Sequence, residues 1–143
     1  MRNKLKYFTG ILFGSLLILL GSAATFSEFK TGNYKQKLSE YGFFMGDMAN
    51  LQPGADLIPY DLNTPLFSDY TLKSRFIRLP EGQQANYHPE AVFDFPIGTA
   101  IIKTFYYPKD FSKPEKGRIL LETRLLLHEE EGWIALPYVW NDA

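Results

Sequence analysis

The sequence of 143 residues contains no cysteine and only two histidines. Without cysteine the chain cannot form disulfides, bind zinc or an iron–sulfur cluster through thiolates, or attach a c-type heme covalently. His88 and His128 lie 40 residues apart without ligand-spaced neighbours. We therefore interpret them as surface or edge-strand residues rather than as metal or heme ligands. The sequence also lacks a glycine-rich phosphate loop and a G-x-S-x-G serine motif, so no common enzyme motif assigns an activity.

The chain has no excess of basic residues, with 15 Lys and Arg against 16 Asp and Glu, and three of the basic residues lie at the N-terminus. Arg2, Lys4 and Lys6 precede the apolar stretch ILFGSLLILL and the small-residue stretch GSAATF. This order is typical of a secretory signal peptide, and we predict cleavage after Ala24, which makes residues 1–24 the signal. The alternative is an uncleaved anchor, because the 18 residues up to Ala24 barely suffice to span a bilayer. A lipoprotein is excluded, since the chain has no cysteine to carry the lipid.

Removal of the signal leaves an acidic chain of ordinary globular composition. Of 15 basic residues 12 remain, against 16 acidic ones, for a net charge of −4. No basic stripe remains for nucleic acid, so we expect no nucleic-acid partner, and contact with a membrane only through an uncleaved signal. We predict a periplasmic or otherwise exported protein, with a linker at 25–32 and one β-rich domain at 33–143. The chain ends directly after an aromatic run, a pattern compatible with a natural terminus or with a domain truncated at its C-terminal end.

The mature chain begins with a helical pattern and then changes to strand patterns. Tyr34, Leu38 and Tyr41 are spaced as one face of a helix of two to three turns, which Gly42 ends. Residues 43–58 mix glycine, proline and asparagine and predict a loop. We predict a mainly β fold, an antiparallel sandwich or partly open barrel with a short N-terminal helix.

Two segments give the clearest strand predictions. TAIIKTFYYP at 99–108 is rich in β-branched and aromatic residues and follows a tight turn at 96–98. RILLETRLLLH at 118–128 alternates, while SRFIRLP at 74–80 is a weaker strand. The alternation in 118–128 places on one face Ile119, Leu121, Thr123, Leu125 and Leu127.

The C-terminal region predicts a hairpin. EEEG at 129–132 is typical of a hairpin loop, with glycine at its exit. The following WIALPYVW contains Pro137, which a strand tolerates best at the edge of a sheet. We therefore expect the last strand to be an edge strand.

The segment 59–80, PYDLNTPLFSDYTLKSRFIRLP, combines rigid prolines and aromatic residues with little reactive chemistry. Asp61 and Asp69 within it could form the carboxylate pair of a glycosidase. The competing interpretation is that both cap turns beside the prolines and Asn63. A rigid aromatic loop is also suitable interface material.

Lys103 is unusual because Ile101 and Phe105 share its strand face. Three interpretations compete: a snorkelling lysine, a buried lysine paired with Asp69, Asp94 or Glu122, or a functional amine. We name no catalytic, cofactor-binding or metal-binding residue. The candidates for a structural or interaction role are Tyr60, Asp61, Asn63, Asp69, Arg75, Lys103 and Trp140.

Five segments between residues 38 and 143 carry a family resemblance. In chain order they are LSEYGFF, PYDLNTPLFSDYTLKSRFIRLPEG, FDFPIGTAIIKTF at 93–105, LLETRLLLHEEEGW at 120–133 and YVWNDA. Together they resemble the N-terminal part of exported bacterial diheme c-type cytochromes. In that family this region precedes the heme-binding part. No C-x-x-C-H motif is present here, so no heme-binding residue can be carried over, and we expect heme only if a missing C-terminal part supplies it.

The resemblance implies an exported, non-catalytic module that serves as a scaffold or docking surface for electron transfer. Its expected partner is a c-type cytochrome domain or another redox protein. The chain is either a fragment without its cytochrome part or a stand-alone copy of the module. The alternative functions are a hydrolase acting on an extracellular polymer, with Asp61 and Asp69 as its carboxylates, and a purely structural module.

Overall fold

The computed structural model describes residues 34–141, which form one open, five-stranded antiparallel sheet in the order β1-β2-β3-β4-β5. The mainly β prediction is thus confirmed. Signal 1–24 and linker 25–32 lie outside the described residues. The strands are β1 Leu57–Pro59, β2 Leu72–Arg78, β3 Ala100–Pro108, β4 Arg118–Glu129 and β5 Gly132–Val139. Short 3-10 helices span Leu38–Tyr41, Met48–Asn50 and Pro114–Lys116.

The predicted turns and the predicted edge strand are present. The Thr99 amide donates to the Pro96 carbonyl at 3.1 Å, and Gly98 supplies the φ of 91° that this turn requires. In the last hairpin Glu129 pairs with Gly132, so the acidic residues between them form the tip. Among the strands of residues 34–141, β5 pairs only with β4, which leaves Pro137 on an edge strand.

The core lies on one face of the sheet, where residues 38–51 cover it. Phe76, Ile102, Leu125 and Leu136 form one buried row across β2 to β5. Phe44 closes over this row, with its ring 5.7 Å from that of Phe76. The segment 38–51 is therefore the second layer of the fold, and burial of its apolar side chains holds it there.

The predicted N-terminal helix is only one 3-10 turn. Lys37 is extended, with φ −119° and ψ 138°, so the helix begins at Leu38, and Gly42 ends it with φ 65°. A helix this short is not stable by itself, and packing of Leu38 and Tyr41 against the core decides its length.

The predicted apolar face of β4 is correct over only part of the strand. A bulge lies opposite the step from Phe105 to Tyr106, and Leu121 has no cross-strand partner there. One extra residue moves the preceding side chains to the other face. Ile119 is accordingly 53% exposed, and Leu120 instead packs against the core.

Candidate functional site

The face of the sheet opposite the core, here the open face, remains partly exposed. It carries an aliphatic row formed by Ile58, Ile77, Ile101, Leu126 and Ala135. Each of these residues is exposed or half-exposed. An apolar row left in contact with water is typical of an interaction surface.

A row of cations lies beside the aliphatic row. The strand register places Arg75 opposite Lys103, and Lys103 opposite Arg124. Lys73 lies on the same face, two residues before Arg75. Like charges directly opposite each other destabilise a sheet, so the arrangement requires compensating anions.

Carboxylates compensate both arginines. Arg124 donates to Glu122 twice, through Nε at 2.6 Å and Nη2 at 3.1 Å. This hydrogen-bonded pair lowers the pKa of Glu122 and raises the pKa of Arg124. Arg75 is buried and its Nη1 lies 3.0 Å from the Asp61 carboxylate, which is itself exposed.

Lys103 has no such partner. Within residues 34–141 its Nζ makes no ion pair and no hydrogen bond, and it lies 5.2 Å from the Phe105 ring centroid. Burial lowers the pKa of Lys103, and the nearby Arg124, Arg75 and Lys73 lower it further, while the Glu122 carboxylate partly opposes the shift. The buried ion pair considered from the sequence is therefore not formed.

Lys103 does share a face with Ile101 and Phe105, but that face is the open one. The side chains that β3 directs into the core are Ala100, Ile102 and Thr104. Because these residues occupy the core side of β3, Lys103 points to the open face. Its ammonium is therefore only partly removed from water, which makes the lysine tolerable there.

A cavity of about 460 Å³ opens at Lys103. Its polar lining comes from Tyr60, Lys103, Glu122 and Arg124, and its apolar walls come from β3, β4 and β5. Burial raises the pKa of Tyr60, although Arg75 partly opposes this shift. The tyrosine hydroxyl therefore stays protonated at neutral pH and is available as a donor.

The structure brings together four of the residues singled out from the sequence. Tyr60 and Lys103 line the cavity, the Tyr60 amide donates to the Arg75 carbonyl, and Arg75 binds Asp61. Glu122 and Arg124 also belong to this site. The alternation of β4 places both off the predicted apolar face. Glu122 was among the partners considered for Lys103, whereas nothing in the sequence alone joins Arg124 to it.

The remaining candidates lie elsewhere. Asn63 and Asp69 are exposed in the loop between β1 and β2, where the Asp69 carbonyl accepts a hydrogen bond from the Tyr107 hydroxyl at 2.8 Å. Trp140 packs on the core side, and its Nε1 donates to the Thr123 hydroxyl at 2.9 Å. The Asp61 and Asp69 carboxylates do not line the cavity at Lys103, and Asp61 is engaged by an arginine.

The two histidines are in different environments. His88 is exposed in the connection between β2 and β3. His128 is half-buried at the end of β4 and stacks on Trp133, with ring centroids 4.5 Å apart. Over residues 34–141 no three His, Cys, Asp or Glu side chains are placed to hold a metal ion.

Lys103→Met is expected to leave the free energy of unfolding at pH 7 within about 0.5 kcal/mol of wild type, or to raise it. The reason is that burial and the neighbouring cations disfavour the charged lysine. A lowered folded pKa means that the unfolded state binds more protons between the folded and the ordinary value of 10.5, so wild-type stability rises with pH in that interval.

Urea melts of wild type and Lys103→Met from about pH 8 to pH 10.5 test this expectation. Tyr60 and Tyr138 have raised pKa values and lower the stability above about pH 10 in both proteins, so the difference between the two curves isolates Lys103. A loss of about 3 kcal/mol in the mutant at pH 7 would instead indicate a buried ion pair.

Among residues 34–141 there is no helix both long and apolar enough to cross a membrane.

Comparison with known proteins identifies no relative of this chain. The chain matches no family model, and no curated protein or solved structure is significantly similar to it. The resemblance to diheme cytochromes therefore stays a prediction from the sequence.

Proposed function

We propose that the chain is an exported, non-catalytic module whose open face docks a redox protein, such as a c-type cytochrome domain, for electron transfer. The observation that carries the proposal is the pairing of an exposed aliphatic row with the cationic row Arg75, Lys103 and Arg124. Stable interfaces combine an apolar centre with charged residues that steer the partner. The partner class comes from the resemblance in sequence.

Charge complementarity defines the surface of the partner. The mature chain is acidic overall, with 12 basic and 16 acidic residues, whereas the open face presents a group of cations. An acidic partner is therefore repelled by the molecule as a whole and attracted at this face. Such a distribution orients the encounter, and it makes the association rate sensitive to salt.

The open face also suits a transient complex better than a permanent one. Its aliphatic row is flanked by charge along one side, where Lys103 and Arg124 remain partly hydrated and Arg75 is buried. Electron-transfer complexes use small interfaces with fast exchange, for which steering matters more than buried area.

We expect an acidic c-type cytochrome to bind the exported chain, and a basic c-type cytochrome of similar size to bind at least about tenfold more weakly. Binding is measured by NMR line broadening, with mapping of the affected amides. The double variant Lys103→Glu/Leu126→Asp should weaken binding about tenfold or more, because it reverses one charge and removes apolar contact. Raising the salt from about 50 to about 200 mM should also weaken it.

The matched control carries the same lysine change away from the open face. Lys113 is exposed in the connection between β3 and β4, so Lys113→Glu should leave binding nearly unchanged. Equal binding of both cytochromes, or equal losses in the control and the open-face variant, would contradict docking at this face.

A further inference from the structure

We infer that the cavity at Lys103 is a binding site for a carboxylate, and that its ligand is an acidic side chain flanked by apolar residues. This inference rests on the proposed function, because it names the group that a docking partner inserts. Three features of the cavity support this ligand: the charges around it, its unused donors and its apolar walls.

The charges around the cavity lack one anion. In the cross-strand row, Arg75 is paired with Asp61 and Arg124 with Glu122. Lys103 stands between the two arginines and makes no ion pair among residues 34–141; the Glu122 carboxylate acts on its charge but is held by Arg124. One further carboxylate would give each of the three cations its own anion. It would also relieve the repulsion that the register imposes on the row.

The unused donors are placed to receive that carboxylate. An ammonium has three N–H donors and no acceptor, and none of those of Lys103 is used within the described range. By contrast, Lys73 on the same face already donates to the carbonyls of Leu66 and Thr71, at 3.1 and 3.2 Å. Tyr60 lines the cavity as well and adds a hydroxyl donor. The open donors are thus concentrated at Lys103 and Tyr60.

The walls of the cavity favour an organic carboxylate over a small inorganic anion. Ile101, Leu126 and Ala135 line the cavity beside Lys103, and a hydrated ion would leave them in contact with water. A volume of about 460 Å³ accommodates a side chain together with a neighbouring apolar group. Bidentate binding of phosphate requires an arginine fork, and the guanidinium that lines this cavity, that of Arg124, is already hydrogen-bonded to Glu122.

The test uses two peptides that differ only in charge, acetyl-Leu-Glu-Leu-amide and acetyl-Leu-Gln-Leu-amide, added to the exported chain. The glutamate peptide should shift the amide resonances of β3 and β4 around Lys103 and raise the pKa of Lys103. The glutamine peptide should bind about tenfold more weakly, which is the factor that a charge-assisted hydrogen bond contributes.

Variants of the chain separate the site from a general attraction of charge. Lys103→Met should reduce binding of the glutamate peptide to the level of the glutamine peptide, and Lys103→Arg should retain most of it. Lys113→Met, the same change at an exposed lysine outside the face, should have no effect. Unchanged spectra away from the site would show that each variant is folded.

Three results would overturn the inference: equal affinity of the two peptides, resonance shifts that map away from the open face, or inorganic phosphate that binds as tightly as the glutamate peptide. Failure here and failure of the proposed function are distinguishable. An acidic cytochrome that binds the open face while neither peptide does would refute the carboxylate site and leave docking intact. A glutamate peptide that binds at Lys103 while no acidic cytochrome does would refute docking and retain the site.

Discussion

Phe43→Ala is expected to lower the free energy of unfolding by about 3–5 kcal/mol, the cost of deleting a buried phenylalanine. Phe43 is 1% exposed in the segment that covers the core face. Its ring stacks on Tyr41 at a centroid distance of 5.2 Å, and the Arg78 guanidinium lies 4.5 Å above it. Truncation therefore removes apolar burial, a ring contact and a cation–π contact together.

Urea denaturation followed by tryptophan fluorescence measures this loss. The matched control is Phe67→Ala, because Phe67 is 72% exposed in the loop between β1 and β2 and should change stability by less than about 0.5 kcal/mol. Similar small losses in both variants would mean that residues 38–51 do not form an essential second layer. A large loss of stability in Phe43→Ala alone would support an essential second layer. A lower m-value, expected when part of the sheet is already uncovered in the folded state, would add to that support.

The strands that sequence patterns predict well are those whose sequence is periodic over many residues. β3 and β4 carry long runs of β-branched and aliphatic residues, and glycine or proline marks their ends, so both were predicted nearly to their bounds. β1 was predicted as loop. It has only three residues, and its pairing with β2 creates the strand, so no local periodicity exists to reveal it.

Errors about side-chain direction have one physical origin, which is that faces depend on register. The bulge opposite Phe105 and Tyr106 reverses the direction of Ile119, and nothing in the alternation of β4 announces it. Similarly, the residues that share the strand face of Lys103 are apolar, which suggests a buried face. The layer 38–51 nevertheless packs on the other face of the sheet. Alternation defines two faces of a strand, but only the packing of the whole chain decides which one is buried.

Sequence patterns identified only part of the candidate site, again because they do not give the strand register. Tyr60, Asp61 and Arg75 all lie in the segment 59–80 that the sequence singled out, although the pairing of β1 with β2 is what brings them together. Lys103 and Arg124 join them only through cross-strand pairing, which single-sequence patterns do not give. The cationic row exists only because the strand register aligns its three residues. Nothing in the sequence of each separate strand predicts it.

Thr123→Val is expected to cost about 2 kcal/mol, although it preserves the shape of the side chain, because it removes the hydrogen-bond partner of the buried Thr104 hydroxyl and the acceptor of Trp140 Nε1. Thr104 and Thr123 are both 0% exposed, and their hydroxyls lie 2.8 Å apart. The Thr123 hydroxyl also accepts from Trp140 Nε1 at 2.9 Å. This one oxygen therefore connects β3, β4 and the end of β5, which gives Trp140 a structural role rather than an exposed interaction role.

A mutant cycle tests whether the hydroxyls act as one network. Thr104→Val alone should cost about 1 kcal/mol, because Thr123 keeps its bond from Trp140. The double variant should lose less than the sum of the single variants, by more than the roughly 0.5 kcal/mol within which independent sites add. Trp140→Phe keeps an aromatic ring and removes the Nε1 donor. In that background Thr123→Val should therefore add no loss of stability from the bond between Trp140 and Thr123. Strict additivity of Thr104→Val and Thr123→Val would contradict the network, since two hydroxyls that satisfy each other cannot contribute independently.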